Sequence, residues 1–298
     1  MNKIRLKQIA EFAFKTMFRQ APELSKIEET FYGWVVFLAS KKVKVVVKFS
    51  REIGRLAKEV EGLDRLRSTL PCPVPRVLFF GREEGFNFLM LEWVDGVPAH
   101  QLPDDSKAIT AFRNSYTELL LTLHDKGSES GFEVETGVYT LDLIDAFDGW
   151  MHSVYRYLMS EASPFSPSLK AAYKQLWEIR GALLSDVSSP ASLVHDDCHV
   201  GNVMFDPKTF KVSAILDPCD VGFKHREMDL FHLYDVRPEL NLAEHYRTVY
   251  PLESGFEVRR WFYSLWDDAK HSRNMGWYDE EWMLKKFDNF NRVYNQYY

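Results

Sequence analysis

At 298 residues with 46% hydrophobic and 15% aromatic content, the chain carries enough apolar surface for two cores, which excludes a disordered or low-complexity polypeptide. A formal net charge of -6 and an isoelectric point of about 5.9 argue against a nucleic-acid partner, because binding to the phosphate backbone draws on clustered Lys and Arg. Cys72, Cys198 and Cys219 are too few and too scattered for a disulfide framework, and no apolar run approaches the ~20 residues of a membrane span, so a cytoplasmic protein without a membrane partner is expected.

Residues 1–18 interleave Ile4, Ile9, Phe12 and Phe14 with Lys and Glu, predicting an amphipathic helix without the apolar centre of a signal peptide. Residues 31–49 alternate and are rich in β-branched and aromatic side chains, with a hairpin turn at Ser40, Lys41 and Lys42. Ile53, Leu56, Val60, Leu63 and Leu66 recur at helical spacing over 51–68, before the prolines 71, 73 and 75. Two further strands are expected over 74–80 and 86–93, giving the order strand, strand, helix, strand, strand. From Ser106 the pattern is almost wholly helical, over 108–124, 141–159, 167–184 and from Met228 onward, broken by short strands around Asn202. The expected fold class is α+β: a small antiparallel sheet lobe with one helix over 1–94, and a larger, mainly helical lobe over 95–298. The break at Asp95, Gly96 and Pro98 separates them, and two unequal lobes leave a cleft suited to a nucleotide.

The strongest chemical signal runs Val-His-Asp-Asp-Cys-His-Val-Gly-Asn over 194–202, followed after an apolar strand by Ile215-Leu216-Asp217-Pro218. Phosphoryl transfer to a hydroxyl needs such parts in this order. Asp197 would accept or orient the acceptor's proton, and Asn202 and Asp217 would hold magnesium on a triphosphate. His195 reads as a structural residue that bonds loop backbone. A zinc site from His195, Cys198 and His199 is disfavoured, since spacings of three and one give no clean pair on one face and no second Cys/His cluster follows. Cys198 reads as a small buried residue. A serine hydrolase is disfavoured by the lack of a Gly-x-Ser-x-Gly elbow.

Lys48 ends a valine-rich strand and is expected in the cleft, on the α and β phosphates, held by Glu59 of the next helix. Glu61 lies about 200° around that helix and suits less well. The alternative for Lys48 is a solvated strand end. Gly33, the one glycine of 28–34, either lets a backbone amide approach a phosphate or marks a strand bulge. Met90, Glu92 and Val94 lie where the strand leaves the small lobe, where main-chain groups can meet an adenine edge; an ordinary packed strand edge is the alternative.

In this order the residues resemble the aminoglycoside phosphotransferase group of protein-kinase-like enzymes, and within it most the fructosamine (ketosamine) kinases. The group's His-Gly-Asp-x-x-x-x-Asn loop is matched by 195–202, its strand lysine by Lys48, its helix glutamate by Glu59 and its metal aspartate by Asp217. The narrower likeness rests on Leu216-Asp217-Pro218-Cys219, on His225-Arg226-Glu227-Met228-Asp229-Leu230 and on the run 246–276. The resemblance implies a bilobal protein-kinase-like fold and an ATP- and Mg2+-dependent kinase, monomer or homodimer, that phosphorylates a hydroxyl of a ketosamine or related sugar amine. An aminoglycoside kinase shares this chemistry, and a nucleotide-binding pseudokinase or scaffold is the alternative of another class. Asp229 is implied to brace the loop by accepting backbone hydrogen bonds.

Two departures from the family pattern stand out. Asp196 replaces the loop glycine, adding a charge that either raises the pKa of the base or faces solvent. His199 stands where the ketosamine kinases usually carry tryptophan near the acceptor, so it joins Trp266, Asp267 and His271 as candidate acceptor contacts. Trp261, Trp277 and Trp282 are further rings for a sugar face, and packing within helices is the alternative for all these aromatics.

Overall fold

In the computed structural model, which describes residues 2–298, the alternating segment forms a five-stranded antiparallel sheet in the order β1-β2-β3-β5-β4. Its strands are β1 (Leu24–Glu29), β2 (Gly33–Ala39), β3 (Lys44–Ser50), β4 (Val77–Glu83) and β5 (Phe86–Glu92). Side chains alternate between the two faces of a strand. Trp34, Val36, Leu38, Val45, Val47 and Phe49 therefore share one face, buried against Leu6, Ile9, Ala10 and Phe14 of helix α1 (Lys3–Phe18). The same parity puts Val46 and Lys48 on the other face, toward Leu56, Leu63 and Leu66 of α2 (Arg55–Thr69). Strand β1 was not expected. Its sequence, Leu-Ser-Lys-Ile-Glu-Glu, lacks an apolar alternation because it is a charged edge strand whose partner β2 lies on one side only.

The rest is helical with small sheets, as the expected fold class requires. In chain order it comprises β6 (Val97–Pro98), α3 (Ser106–His124), β7 (Phe132–Glu135), β8 (Val138–Thr140), α4 (Leu143–Met159), α5 (Pro167–Leu184), β9 (Ser192–Val194), β10 (Val203–Phe205), β11 (Val212–Ile215), β12 (Gly222–Lys224), α6 (Glu227–Leu230), α7 (Leu242–Val249), α8 (Phe256–Met275) and α9 (Glu280–Tyr297). Asp105, Asp142, Ser166 and Asp279 cap α3, α4, α5 and α9 by accepting backbone N–H groups of the first turn. One core packs α4, α5, α8 and α9 together. Another joins α2 and β5 to α3, β10 and β11. No described helix is long and apolar enough to cross a membrane.

Candidate active site

Strand β9 pairs with β12 and strand β10 with β6 and β11, so the loop 195–202 between them is pinned at both ends. Asp229 of α6, fully buried, accepts the backbone N–H groups of His195 at 3.0 Å and Asp196 at 2.7 Å, and His124 Nε2 lies 3.0 Å from the same carboxylate. Burial works against its charge, but the hydrogen bonds from the His124 side chain and the His195 backbone hold the carboxyl below the usual aspartate range. His195 Nε2 meets the carbonyl of Leu216 at 2.9 Å and so ties the loop to the strand that delivers Asp217. Burial lowers its pKa, which favours a neutral imidazole with its proton on Nε2, facing this carbonyl. Cys198 is buried, its backbone carbonyl accepting from Tyr116 Oη and its thiol donating to the Asp229 carbonyl at 3.1 Å; burial pushes that thiol up, away from thiolate chemistry.

Asp196 adopts a left-handed backbone (φ 61°), a conformation that glycine takes freely and aspartate tolerates. Its carboxylate is not solvent-facing. It is buried 2.7 Å from Lys224 Nζ and 3.8 Å from Lys270 Nζ, so the added charge is neutralised where it arises.

A cavity of about 610 Å3 is lined by Gly33, Lys48, Glu59, Asp197, Asn202 and Asp217, and also by His199, Asp267 and His271. Lys48 Nζ lies 2.5 Å from Glu59 Oε1 and contacts Asp217 Oδ1, so one ammonium sits between a buried carboxylate from α2 and a half-exposed one from the segment after β11. Glu61 lines a different surface cleft. Asn202 donates its amide Nδ2 to the Asp197 carbonyl at 2.8 Å, and its Oδ1 has no hydrogen-bond partner among the described residues. Asn202 and Asp217 both line the cavity and offer hard oxygen donors, a set that suits magnesium, which keeps much of its shell from water and phosphate. Among the described residues no cluster of three or more His, Cys, Asp or Glu could hold a metal.

His199 Nδ1 accepts the Gly201 N–H at 2.9 Å, assigning the ring proton to Nε2, which lies 3.4 Å from Asp197 Oδ1. A Cβ at Gly201 would meet this imidazole at 2.6 Å, so the glycine leaves room for the ring. Gly33 is no bulge, since β1, β2 and β3 pair there without a register shift; a Cβ would lie 1.9 Å from the Phe49 carbonyl. On α8, burial opposes the charge of Asp267, yet His271 Nε2 at 3.2 Å and Lys270 Nζ at 3.0 Å hold it ionised. His271 Nδ1 in turn contacts Tyr32 Oη, from the turn between β1 and β2.

Four expected residues stand elsewhere. Trp266 is fully buried in the helical core, its ring centroid 5.4 Å from that of Trp177 and 5.6 Å from that of Tyr173, and cannot meet an acceptor; Trp261, Trp277 and Trp282 do line the cavity. Met90 is fully buried, its strand paired to β3 on one side and β4 on the other, so neither its side chain nor its main chain is open to a ligand. Glu92 forks onto Arg76 at 2.8 and 3.1 Å, and Val94 follows β5 without lining the cavity.

Sequence reasoning passed over His232, Asp235, Arg260 and Lys286 on the cavity wall. His232 Nδ1 lies 2.9 Å from Asp235 Oδ2; burial opposes protonation, but this hydrogen bond and the nearby acids raise its pKa to about 9. The three-residue spacing of a histidine and an aspartate on one turn was the signal available.

The model of the phosphotransferase enzyme family matches residues 31–262. Among solved structures the chain is similar to a candidate fructosamine-3-kinase from Haemophilus somnus 129PT, at 16% identity over 95% of this chain and 96% of that one, with a TM-score of 0.73. It is similar to aminoglycoside phosphotransferase APH(4)-Ia, at 15% identity over 96% and 98%, with a TM-score of 0.76. It is also similar to the GDP complex of aminoglycoside 2′-phosphotransferase-IIIa, at 16% identity over 96% and 97%, with a TM-score of 0.64. At these identities the likeness is one of fold. No curated protein matches the chain in sequence.

Proposed function

The chain belongs to the phosphotransferase enzyme family and is a small-molecule phosphotransferase, and from that premise we propose a kinase that moves the γ-phosphoryl group of ATP to a hydroxyl of a sugar amine, a ketosamine first among them. The observation that carries this reading is Lys48 held between Glu59 and Asp217 in the cavity that Asp197 and Asn202 also line. The nucleotide belongs with residues 1–94, and the catalytic loop and acceptor wall with 95–298. Trp93 N donates to the Lys44 carbonyl, so the main chain is paired as far as Trp93, and Val94, which does not line the cavity, is not assigned to the adenine edge.

In this mechanism Lys48, kept in place by Glu59, spreads the charge of the phosphates. Asn202 and Asp217 would hold magnesium, which supplies further neutralisation of phosphate oxygens. Asp197 orients the acceptor hydroxyl and takes its proton as the oxygen bonds to the γ-phosphorus and ADP leaves. The acceptor meets the rings of Trp261, Trp277 and Trp282 and the acids Asp267 and Asp268. An aminoglycoside is the second reading, favoured by those acids and by the complex of an APH(4)-Ia mutant with AMP-PNP and hygromycin B. Release of ADP from magnesium ATP, screened against fructosyl-lysine and hygromycin B, separates the two. Stimulation by the ketosamine is expected; stimulation by hygromycin B alone would move the acceptor to the second reading, and none with any sugar amine would overturn the proposal.

A further inference from the structure

Helix α8 turns Arg260, Trp261, Ser264, Asp267, Asp268 and His271 toward the cavity, a three-and-four spacing that spreads them along one helix face. From Arg260 to Asp267 this face covers roughly 10 Å at about 1.5 Å per residue. Charge is not uniform along it. The acids are already matched, Asp267 by Lys270 and His271, and Asp268 by Lys286 Nζ at 2.7 Å. Arg260 is matched on one edge only. Its Nε donates to Glu257 Oε2 at 2.8 Å, and Glu257 is shared with Arg247; neither Nη of Arg260 has a protein partner among the described residues.

The Arg260 guanidinium lies 4.3 Å from the ring centroid of Tyr234 and 4.6 Å from that of Trp261, with the side chain 19% exposed. Stacking and the Glu257 contact fix the plane of the fork, so little ordering remains when an anion docks. The turn that carries Tyr234 adds His232 to the wall, bonded through Nδ1 to Asp235, with its Nε2 buried and without a partner among the described residues. This end of the cavity thus offers the unpaired Nη donors of Arg260, whereas the acids at the Asp267 end are already paired.

We propose that Arg260 is an anion subsite of the acceptor site, whose free Nη groups take a carboxylate of the acceptor. This rests on the phosphotransfer reading of the same cavity and narrows its substrate to a zwitterionic sugar amine, of which the ketosamine of an amino acid is the simplest class. A polycationic aminoglycoside brings no group for this subsite.

The test compares two acceptors on the full chain with magnesium ATP: fructosyl-glycine, and 1-deoxy-1-methylamino-fructose, which lacks only the carboxylate. Wild type should prefer fructosyl-glycine by at least about tenfold in kcat/KM, the scale of one well-made charged contact. Arg260→Met should bring that ratio to about one, and Arg260→Lys should keep part of it. Because a ratio is read, a general loss of stability in either variant does not imitate the result. Equal use of the two acceptors by wild type, or an undiminished ratio in Arg260→Met, overturns the subsite. Turnover of hygromycin B with neither ketosamine used overturns the subsite and leaves phosphotransfer standing; no turnover of any sugar amine overturns both.

Discussion

At the residue scale, the site depends on charges whose partners come from different elements. Lys48 offsets both Glu59, 2% exposed, and Asp217. Replacing it with methionine strands a buried carboxylate, so Lys48→Met should lose on the order of 2 kcal/mol of stability, below the ~3–5 kcal/mol of a fully buried broken pair because Lys48 is partly exposed. It should also raise the KM for ATP; a variant with unchanged denaturation midpoint and KM would contradict the pairing. His232 sets a pH signature. Its pKa is raised from 6.5 to about 9, against burial, by Asp235 on its own turn, by Asp267 on α8 and by Asp197 on the loop. A raised histidine contributes stability that is complete below about 6.5 and is lost as pH rises through about 9. The melting temperature should therefore fall between pH 7 and 10, and Asp235→Asn should remove much of that slope. Superimposable curves for the two proteins would show that the pair does not form.

At the element scale, α2 sits directly on the segment that carries Asp217. A Cβ at Gly62 would lie 1.8 Å from the Pro218 carbonyl, so this glycine sets how closely the helix bearing Glu59 approaches. Gly62→Ala should cost about 1–3 kcal/mol by overpacking and lower kcat as Glu59 and Asp217 are forced apart. Gly181 in α5 is the control. Nothing lies within 4 Å of its added Cβ, so Gly181→Ala should stabilise by about 0.5–1 kcal/mol. Chemical denaturation of both variants checks the pair, and equal shifts would contradict this packing.

Long elements were legible because their signals are local. The expected α5 over 167–184 is the observed one, with Ser166 as its cap, and Lys48 fell on the α2 side by strand parity. Edge strand β1 and the short hairpin of β7 and β8 were not legible, since pairing partners rather than apolar pattern define them. Trp261 and Trp266 show a further limit. Five residues place them about 140° apart around α8, and which one meets the cavity is decided by how the helix docks. The loop 195–202 was legible as chemistry, but the lysine partners of Asp196 come from β12 and α8, far along the chain.

For the whole molecule, the sheet and the helical part share a core. Leu56, Leu63 and Leu66 of α2 and Leu89 and Leu91 of β5 pack in one cluster with Phe112, Tyr116 and Leu120 of α3 and with Val203 and Ile215. Polar bridges add to it, among them Glu52 to Asn274 at 3.1 Å and Arg65 to Glu133 at 2.8 Å. Neither part buries this surface alone, so calorimetry should find one cooperative transition. Two resolved transitions would contradict the shared core. That continuity also holds Lys48, the loop 195–202 and helix α8 around one cavity, as the proposed transfer requires. The most direct measurement is single-turnover phosphoryl transfer by Asp197→Asn, which keeps the side chain's shape and removes the base. Transfer should fall by about 100-fold or more, the usual range for a lost general base, while ATP binding stays within about threefold of wild type. Transfer within about tenfold of wild type would contradict the assignment of Asp197 and, with it, the proposed mechanism.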